Sequence, residues 1–242
     1  MVGRKLTSAV VLAAGLGTRM AAPANDAVPK PLVPLNGKAL LDHVLDRLAE
    51  AGFLRAIVNV HHKADAIEEH LRTRRVPAIT ISDERKCLLD TGGGVKKALP
   101  LLGAAPFLIH NSDSVWIEGV GSNLARLAEA WDASRMDCLL MLALASTSLG
   151  FRGRGDFALA SDGRVRRPRA EQEIVPFAFA GVQIVDPRLF DGSPEGSFSL
   201  NVLWDRAIAA GRAFGMRMEG IWMHVGTPAA LAQAEQRLGA AP

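Results

Sequence analysis

The chain has 242 residues, of which 49% are apolar and 22% charged, and its formal net charge is +3. This length and composition suit a globular protein with one large α/β domain or two small ones. Aromatic residues make up only 5% and are not interleaved with the short basic clusters at residues 72–75 and 164–169, which excludes the usual nucleic-acid-binding surface. We interpret both clusters as solvated surface, although the second could also help to hold an anionic substrate.

Cysteine content and hydropathy exclude two further classes of protein. Cys87 and Cys138 lie far apart without a CxxC spacing, which argues against a disulfide scaffold or a zinc site. No apolar stretch is long enough to cross a bilayer. The apolar run near the N-terminus leads directly into a Gly-Thr-Arg turn, so it predicts a buried first strand rather than a signal peptide. These features predict a cytoplasmic protein that acts neither on nucleic acid nor at a membrane.

Strand and helix patterns alternate through the first half of the chain. The predicted elements are strands at residues 9–14, 56–60, 78–82, 107–111 and 138–145, and helices at residues 40–51, 64–71, 94–102 and 120–131. Helices that separate apolar strands form βαβ units, which give a mostly parallel sheet with helices on both faces.

The second half has a different pattern, with shorter strands and more turns. Its predicted elements are a hairpin at residues 157–166 that turns at Asp162 and Gly163, a strand at 177–185, a helix at 201–210, a bent strand pair at 214–225 around Gly220, and a final helix that begins at Thr227 and Pro228. No repeat or linker marks a boundary. We therefore predict one domain over residues 1–242, with a nucleotide-binding half at 1–135 and a substrate-facing half at 136–242.

A glycine-rich loop follows the first strand, at the edge where open α/β sheets bind ligands. Residues 15–19 read GLGTR, and Met20 stands where a dinucleotide fingerprint has its third glycine. The P-loop pattern also fails, because no lysine follows a glycine at its spacing. Glycines let backbone N–H groups approach an anion, and Arg19 adds a fork suited to phosphate oxygens. The loop therefore predicts a phosphate site of another kind.

Three further loops at the same edge carry residues suited to a phosphorylated ligand. Lys30 lies between two prolines, which restrict the backbone and pre-position the side chain. Three glycines at residues 92–94 enter a helix, which predicts close approach of a base or a sugar. Asp113 follows an apolar strand and is a candidate ligand for Mg²⁺. A solvated lysine, a flexible turn and a plain helix cap are the respective structural alternatives.

Together these motifs resemble those of the sugar-1-phosphate nucleotidyltransferases, also called nucleoside-diphosphate-sugar pyrophosphorylases. The corresponding segments, in the order that the family has them, are residues 12–20, 29–31, 91–94, 111–113 and 222–228. The resemblance covers almost the whole chain. It implies a Rossmann-like three-layer α/β/α nucleotidyltransferase fold with a mostly parallel mixed sheet, whose second half binds a sugar phosphate.

The resemblance also implies an activity and a set of site residues. A sugar-1-phosphate oxygen attacks the α-phosphorus of a nucleoside triphosphate, and pyrophosphate leaves. The implied catalytic residues are Arg19, Lys30 and Asp113, with Asp113 also holding Mg²⁺. The implied nucleotide-binding residues are Leu12, Ala14, Gly15, Gly17, Thr18, Arg19, Lys30, Gly92 and Gly93. The implied sugar-binding residues are Asn111, Gly155, Asp156 and Gly181, although Asp156 could equally be a surface residue.

Within the family, three strings indicate the substrates. They are LLDTGGGVKKALPLLG at residues 88–103, GRGDF at 153–157 and FAGVQIVDPRLF at 179–190. They are most similar to the N-acetylmuramate-1-phosphate uridylyltransferases of peptidoglycan recycling, which implies UTP and N-acetylmuramate-1-phosphate as partners. The short mannose-1-phosphate guanylyltransferases are the alternative.

The chain departs from the family pattern at three places. His224 stands where the family has a second metal-binding aspartate, Ala21 replaces an arginine, and residues 21–26 contain one extra residue. Imidazole suits Mn²⁺, Co²⁺ or Zn²⁺ better than Mg²⁺. His224 is therefore a hydrogen-bonding neighbour of a Mg²⁺ site, a ligand of a softer metal such as Mn²⁺, or the mark of a non-catalytic relative that binds nucleotide sugars.

A nicotinamide-dependent oxidoreductase is the alternative from a different class of protein. It predicts an acidic residue at the end of the second strand, where it would bind the ribose hydroxyls. That strand instead ends in the sequence NVHH at residues 59–62. The missing carboxylate argues against a dinucleotide site.

Overall fold

The computed structural model describes residues 6–18, 20 and 28–239. The strands in these ranges are β1 (Ser8–Leu12), β2 (Pro34–Leu35), β3 (Lys38–Ala39), β4 (Arg55–Val60), β5 (Ala78–Asp83), β6 (Phe107–Asn111), β7 (Ser114–Glu118), β8 (Cys138–Leu144), β9 (Ala158–Leu159), β10 (Val165–Arg166), β11 (Phe177–Val185), β12 (Ala213–Arg217) and β13 (Gly220–His224). The helices are α1 (Leu40–Glu50), α2 (Ala64–Leu71), α3 (Asp90–Leu102), α4 (Asn123–Ala130), α5 (Leu200–Ala209) and α6 (Pro228–Gly239). None of the helices in the described ranges combines the length and the apolar character that crossing a membrane requires.

Seven strands form the central sheet, in the order β12-β8-β11-β6-β1-β4-β5. Strand β1 is parallel to β4 and β6, β4 is parallel to β5, and β12 is parallel to β8. Strand β11 runs antiparallel to both of its neighbours, β6 and β8. The mostly parallel mixed sheet predicted from the sequence is confirmed. The strands of the first half thus lie side by side, and β11 joins them to those of the second half.

Helices cover both faces of the sheet, so the predicted three-layer α/β/α arrangement is confirmed. Along β1, Ala9 and Val11 belong to the apolar cluster that contains the buried faces of α1, α2 and α4. Val10, between them, belongs to the cluster with α3 and α5. This alternation is the period of a strand, and burial on both faces explains why the strand sequence is continuously apolar.

Three predicted elements differ from those in the structure by more than two residues at an end or in their pairing. Helix α3 begins at Asp90, four residues before the predicted start, and includes the three glycines. Helix α4 begins at Asn123 rather than at residue 120, because Ser122 is its N-cap and accepts from the Ala125 amide. The expected strand pair at 214–225 is wrong as a pair. Strand β12 joins the central sheet, whereas β13 pairs with β7, which the sequence analysis missed.

A buried aromatic stack lies next to the end of β6. The imidazole of His110 stacks on the indole of Trp116 with 5.5 Å between ring centroids, and the Arg47 guanidinium lies 3.8 Å from the centroid on the same indole. His110 is fully buried, and its Nδ1 is 2.8 Å from the carbonyl oxygen of Asn111. Burial lowers the pKa of His110 from 6.5 to about 3. The native protein therefore holds this imidazole neutral over the ordinary pH range.

The buried histidine should make the protein sensitive to mild acid. Below about pH 6.5 the unfolded chain takes up a proton at residue 110 that the native protein does not, so the free energy of unfolding falls by up to about 1.4 kcal/mol per pH unit as pH is lowered towards the native pKa. We expect His110→Phe to flatten the slope of Tm against pH between pH 6.5 and 4.5. Ile109→Val, at a buried neighbour on the same strand, changes packing but no titratable group; it is the control and should keep the wild-type slope. An unchanged slope in His110→Phe would contradict the assignment.

Candidate active site

The carboxyl ends of β1, β4 and β6 meet at one edge of the sheet and open into a cavity of about 590 Å³. Its lining residues come from the loop after β1, the Lys30 turn, the end of β4, the loop before α3 and the end of β6. They are Leu12, Ala13, Ala14, Gly15, Leu16, Gly17, Thr18, Lys30, Pro31, Asn59, Leu88, Asp90, Thr91, Asn111, Ser112, Asp113 and Ser197. We call this the first cavity.

A second cavity of about 330 Å³ adjoins the first and is built mainly by the second half of the chain. The two cavities share four lining residues, Asp90, Thr91, Asn111 and Asp113. The remaining lining residues of the second cavity are Ser114, Phe151, Asp156, Arg167, Phe179, Gly181, Ser199, Leu200, Asn201, Trp204, Trp222 and His224. Two ligands can therefore occupy neighbouring spaces and meet at Asn111 and Asp113.

An ion pair between Lys30 and Asp113 lies where the cavities meet. The Lys30 ammonium donates to Asp113 Oδ2, and the two side chains are 13% and 21% exposed. Asp113 lies two residues after the end of β6, and Lys30 begins a short 3₁₀ turn after Pro29. The site thus presents one cation and one anion, both partly shielded from water, which strengthens their effect on a bound phosphate.

The two glycines of the loop after β1 serve different purposes. A side chain at Gly15 would meet no atom within 4 Å, so this residue borders open space in the first cavity. Gly17 has a φ of +67°, and a Cβ there would lie 3.0 Å from the Cβ of Lys30. Gly17 therefore allows the loop to pack directly against the lysine turn, whereas Gly15 leaves room for a ligand.

A buried polar network fixes the start of this loop. Asn59 Oδ1 accepts from the amides of Ala13 at 2.6 Å and Ala14 at 3.3 Å. Asn59 Nδ2 donates to Glu84 Oε1 at 2.7 Å, and Glu84 Oε2 accepts from the Leu89 amide at 3.2 Å. Because Asn59 and Glu84 are almost fully buried, these bonds tie together the loops that border the first cavity. The sequence analysis missed both residues, although an amide inside the apolar strand AIVNV is the signal that marks Asn59.

The three glycines at the start of α3 have a packing reason that was not foreseen. A Cβ at Gly92 would lie 2.4 Å from the Phe198 ring, and one at Gly93 would lie 2.2 Å from the carbonyl oxygen of Gly196. At Gly94 it would lie 2.7 Å from Glu84 Oε1. The amides of Gly92 and Gly93 donate to the Phe198 carbonyl, and neither glycine lines a cavity. The protein's own chain therefore approaches all three glycines closely, and the role expected of Gly92 and Gly93 in binding a nucleotide remains a prediction.

The sugar-binding residues proposed from the sequence lie in or next to the second cavity. Asp156 lines it, and its Oδ2 accepts from the Phe179 amide at 2.8 Å, which orients the carboxylate. Gly181 also lines it and sits at a bulge in β11, with a φ of +77°. Gly155, which has a φ of +85°, precedes Asp156 in the chain and does not itself line the second cavity. A Cβ there would lie 2.0 Å from the carbonyl oxygen of Val175.

His224 reaches the second cavity from the end of β13. It pairs in register with Ser114, directly after Asp113, and its ring centroid is 5.5 Å from that of Trp222. Trp222 Nε1 donates to Ser114 Oγ at 2.9 Å, and the Ser114 hydroxyl donates to the Ala180 carbonyl. In the part of the chain that the structure describes, no three His, Cys, Asp or Glu residues cluster as a metal site.

Helix α5 and the segment after β10 contribute residues to the second cavity that the sequence analysis did not single out. Trp204 forms an aromatic wall, with its ring centroid 4.7 Å from that of Phe179, and its Nε1 donates to Gln183 at 2.8 Å. Asn201 and Arg167 line the cavity beside it. For Arg167 the available signal was the basic cluster 164–169, to which it belongs. Trp204 carried no signal for a cavity, because its spacing on α5 is that of a core residue.

Part of the predicted site lies outside the described residues. This applies to Arg19, to Ala21 and to the extra residue within 21–26. The roles expected of them remain predictions.

Comparison with known proteins places the chain among nucleotidyltransferases. Residues 9–147 match the family described as the MobA-like NTP transferase domain. Two relatives described as N-acetylmuramate alpha-1-phosphate uridylyltransferase align with almost the whole chain. The protein from Caulobacter vibrioides is 52% identical over 96% of this chain and 97% of its own length. The protein from Neisseria meningitidis is 34% identical over 96% of this chain and 98% of its own length.

Two solved nucleotidyltransferase structures share the fold along nearly the full length. UDP-glucose pyrophosphorylase from Acinetobacter baumannii superposes with a TM-score of 0.77 at 19% identity, covering 97% of this chain and 94% of that one. Inositol-1-phosphate CTP transferase from T. maritima superposes with a TM-score of 0.74 at 17% identity, covering 97% of both. At these identities the likeness establishes the fold alone.

Proposed function

The chain belongs to the nucleotidyltransferase family with the MobA-like NTP transferase domain, and we propose that it transfers uridylate from UTP to N-acetylmuramate-1-phosphate, releasing pyrophosphate. The observation that carries this proposal is the junction of the two cavities at Asn111 and Asp113. A nucleotide in the first cavity and a sugar phosphate in the second would bring their phosphates together there. We place this reaction in the cytoplasm, in the recycling of peptidoglycan sugars.

The reaction is one displacement at phosphorus. An oxygen of the sugar-1-phosphate forms a bond to the α-phosphorus of UTP, the bond from that phosphorus to the bridging oxygen of the β-phosphate breaks, and its electron pair leaves with pyrophosphate. The attacking oxygen is already anionic, so no side chain has to remove a proton. The protein therefore has to bring two anions together and compensate their charge.

Lys30 is suited to compensate charge at the reacting phosphates. Its ammonium is held at the cavity junction by Asp113, and Pro29 and Pro31 restrict the backbone on both sides. A fixed, partly desolvated cation stabilises negative charge better than a mobile one in water. The contact between Gly17 and Lys30 keeps the lysine next to the loop that we assign to the triphosphate. We assign Arg19, at the end of that loop, to the β- and γ-phosphates.

Enzymes of this family generally use a divalent metal ion, and the residues at the junction fit one. Asp113 presents a carboxylate where both substrates meet, and Mg²⁺ binds through one or two carboxylates together with substrate phosphates and water. We infer Mg²⁺ held by Asp113, with His224 as a neighbour in the second cavity or as a ligand if Mn²⁺ is preferred. The bound ion would supply Lewis-acid stabilisation of charge on the α-phosphate.

The test is a panel that measures pyrophosphate release. UTP, GTP, CTP, ATP and dTTP are each combined with N-acetylmuramate-1-phosphate, mannose-1-phosphate and glucose-1-phosphate, in Mg²⁺ and in Mn²⁺. We expect turnover with UTP and the muramate sugar to exceed every other pair. His224→Asp, assayed alongside, should raise Mg²⁺-supported turnover if His224 is a metal ligand and leave it unchanged if His224 is only a neighbour.

Two outcomes would overturn parts of the proposal. Preferred turnover of GTP with mannose-1-phosphate would keep the mechanism and change both substrates. No turnover with any pair in either metal, combined with tight binding of a nucleotide sugar, would make the protein a binding relative rather than an enzyme.

A further inference from the structure

The second cavity contains an arginine that the transfer reaction itself does not require. Among the described residues that line this cavity, Arg167 is the one lysine or arginine, whereas Asp90, Asp113 and Asp156 are acidic. The phosphate of the sugar substrate has to point towards Asp113 and Lys30 to reach the nucleotide. The three carboxylates would repel a second anionic group on the sugar, whereas the Arg167 guanidinium would attract it, so this arginine fits an acidic substituent.

The guanidinium of Arg167 is held in place but keeps free donors. Its Nε donates to Asp205 at 2.8 Å and its Nη2 to Asn201 at 2.6 Å. Its Cζ lies 4.6 Å from the ring centroid of Phe157 and 5.7 Å from that of Trp204. A guanidinium has five N–H groups, and these two bonds, which are its hydrogen bonds to side chains of the described residues, leave Nη1 and part of Nη2 for a ligand. A planar fork of this kind matches the two oxygens of a carboxylate.

A structural role alone explains this arrangement less well. The Asp205 side chain is 59% exposed and that of Arg167 is 31% exposed, so solvent screens their ion pair and its contribution to stability is small. The neighbouring Arg166, whose side chain is 40% exposed, differs from Arg167 in its partners rather than in its exposure. It makes two bonds to Glu173, at 2.8 and 3.2 Å, and does not line the cavity.

We propose that Arg167 binds the carboxylate of the lactyl ether that distinguishes N-acetylmuramate from N-acetylglucosamine, and thereby selects the acidic sugar. This inference rests on the proposed function and names the specificity determinant of its acceptor site. The anchored guanidinium loses little conformational freedom on binding, so the carboxylate gains affinity from a pre-organised partner. Asp156, on the same cavity, remains available for sugar hydroxyls.

The experiment compares two acceptors that differ only in the lactyl group. The ratio of kcat/KM for N-acetylmuramate-1-phosphate to that for N-acetylglucosamine-1-phosphate is measured with UTP for the wild type, Arg167→Met and Arg166→Met. We expect Arg167→Met to lower this ratio by about 10- to 100-fold, the range for a lost hydrogen-bonded charge pair. The KM for UTP should not change. Arg166→Met, a matched substitution outside the cavity, should keep the wild-type ratio.

Further variants and substrates separate binding from folding. Arg167→Lys keeps the charge but loses the fork and should give an intermediate ratio, which also serves if the methionine variant is unstable. The methyl ester of the lactyl carboxylate should react equally well with the wild type and with Arg167→Met, because the interaction is removed from the substrate side. A wild type that does not prefer the muramate sugar would refute the proposed function. A wild type that prefers it, with the same ratio in Arg167→Met and Arg167→Lys, would refute the role of Arg167 alone.

Discussion

Replacing Asp113 with asparagine is expected to lower kcat by about 10³-fold, the upper range for removing one group that stabilises charge in a transition state. Asparagine keeps the shape of the side chain, and its amide oxygen can still accept from Lys30. It lacks the negative charge that, in our proposal, holds the metal ion. The Lys30–Asp113 pair is partly exposed, so its loss should cost about 1 kcal/mol of stability, or about 2–4 °C in Tm. The measurement is kcat under saturating substrates, with Tm from a thermal scan.

A carboxylate outside the site provides the control for this result. Asp162 lies in the exposed turn between β9 and β10 and pairs with Arg164. Asp162→Asn removes the same charge from the protein and should leave kcat unchanged. If Asp113→Asn retained kcat within about tenfold of the wild type, the loss would be too small for a metal ligand or an electrostatic catalyst, and Asp113 would not carry the reaction.

The second large effect is expected on stability, from replacing a glycine that packs against the backbone of another loop. Gly93→Ala would place a methyl group 2.2 Å from the carbonyl oxygen of Gly196, which belongs to the backbone and cannot move aside like a side chain. We expect a loss of about 2–4 kcal/mol in the free energy of unfolding, at the upper end for overpacking a core. This corresponds to a fall in Tm of about 5–15 °C.

Gly15→Ala is the matched substitution at a position that faces open space. A Cβ at Gly15 meets no atom within 4 Å, and the residue lines the first cavity. We therefore expect an unchanged Tm and an increase of about tenfold in the KM for UTP, about 1.4 kcal/mol of lost binding. A lower Tm in Gly15→Ala would contradict the open space assigned to Gly15. An unchanged Tm in Gly93→Ala would contradict the close packing assigned to Gly93.

The sequence predicted the central sheet well because its strands carry a local signal. In β1 and β6 a continuous apolar run ends in a loop of polar or glycine residues, and each run became a strand with buried residues on both faces. The pairing of β7 with β13 carries no such signal. Ser114 and His224 are 110 positions apart in the chain and meet only through the tertiary fold, so neither the strand at 114–118 nor its partner could be read from local periodicity.

The candidate site shows the same limit. Lys30 and Asp113 were recognised because proline spacing and a carboxylate after an apolar strand are local patterns. Glu84, which follows β5, was missed because its role depends on the hydrogen bond that it accepts from Asn59 on β4. That hydrogen bond exists only in the folded protein. The packing role of the glycines at 92–94 was missed because the sequence does not show that the loop containing Gly196 and Phe198 packs against them.

The direction of strand β11 has a consequence for how the two cavities can be changed separately. Because β11 is antiparallel to β6, its first residues lie at the same edge of the sheet as the last residues of β6. Phe179 and Gly181 therefore line the second cavity. Among the residues that the structure describes, the first cavity is lined by residues before 114, with Ser197 as the exception. Exchanges after that point can therefore alter the second cavity with little effect on the first, provided that they keep the segment 196–198, which packs against Gly92 and Gly93. Under that condition, exchange of segments after residue 114 offers a route to chimeric proteins that keep the first cavity and change the second.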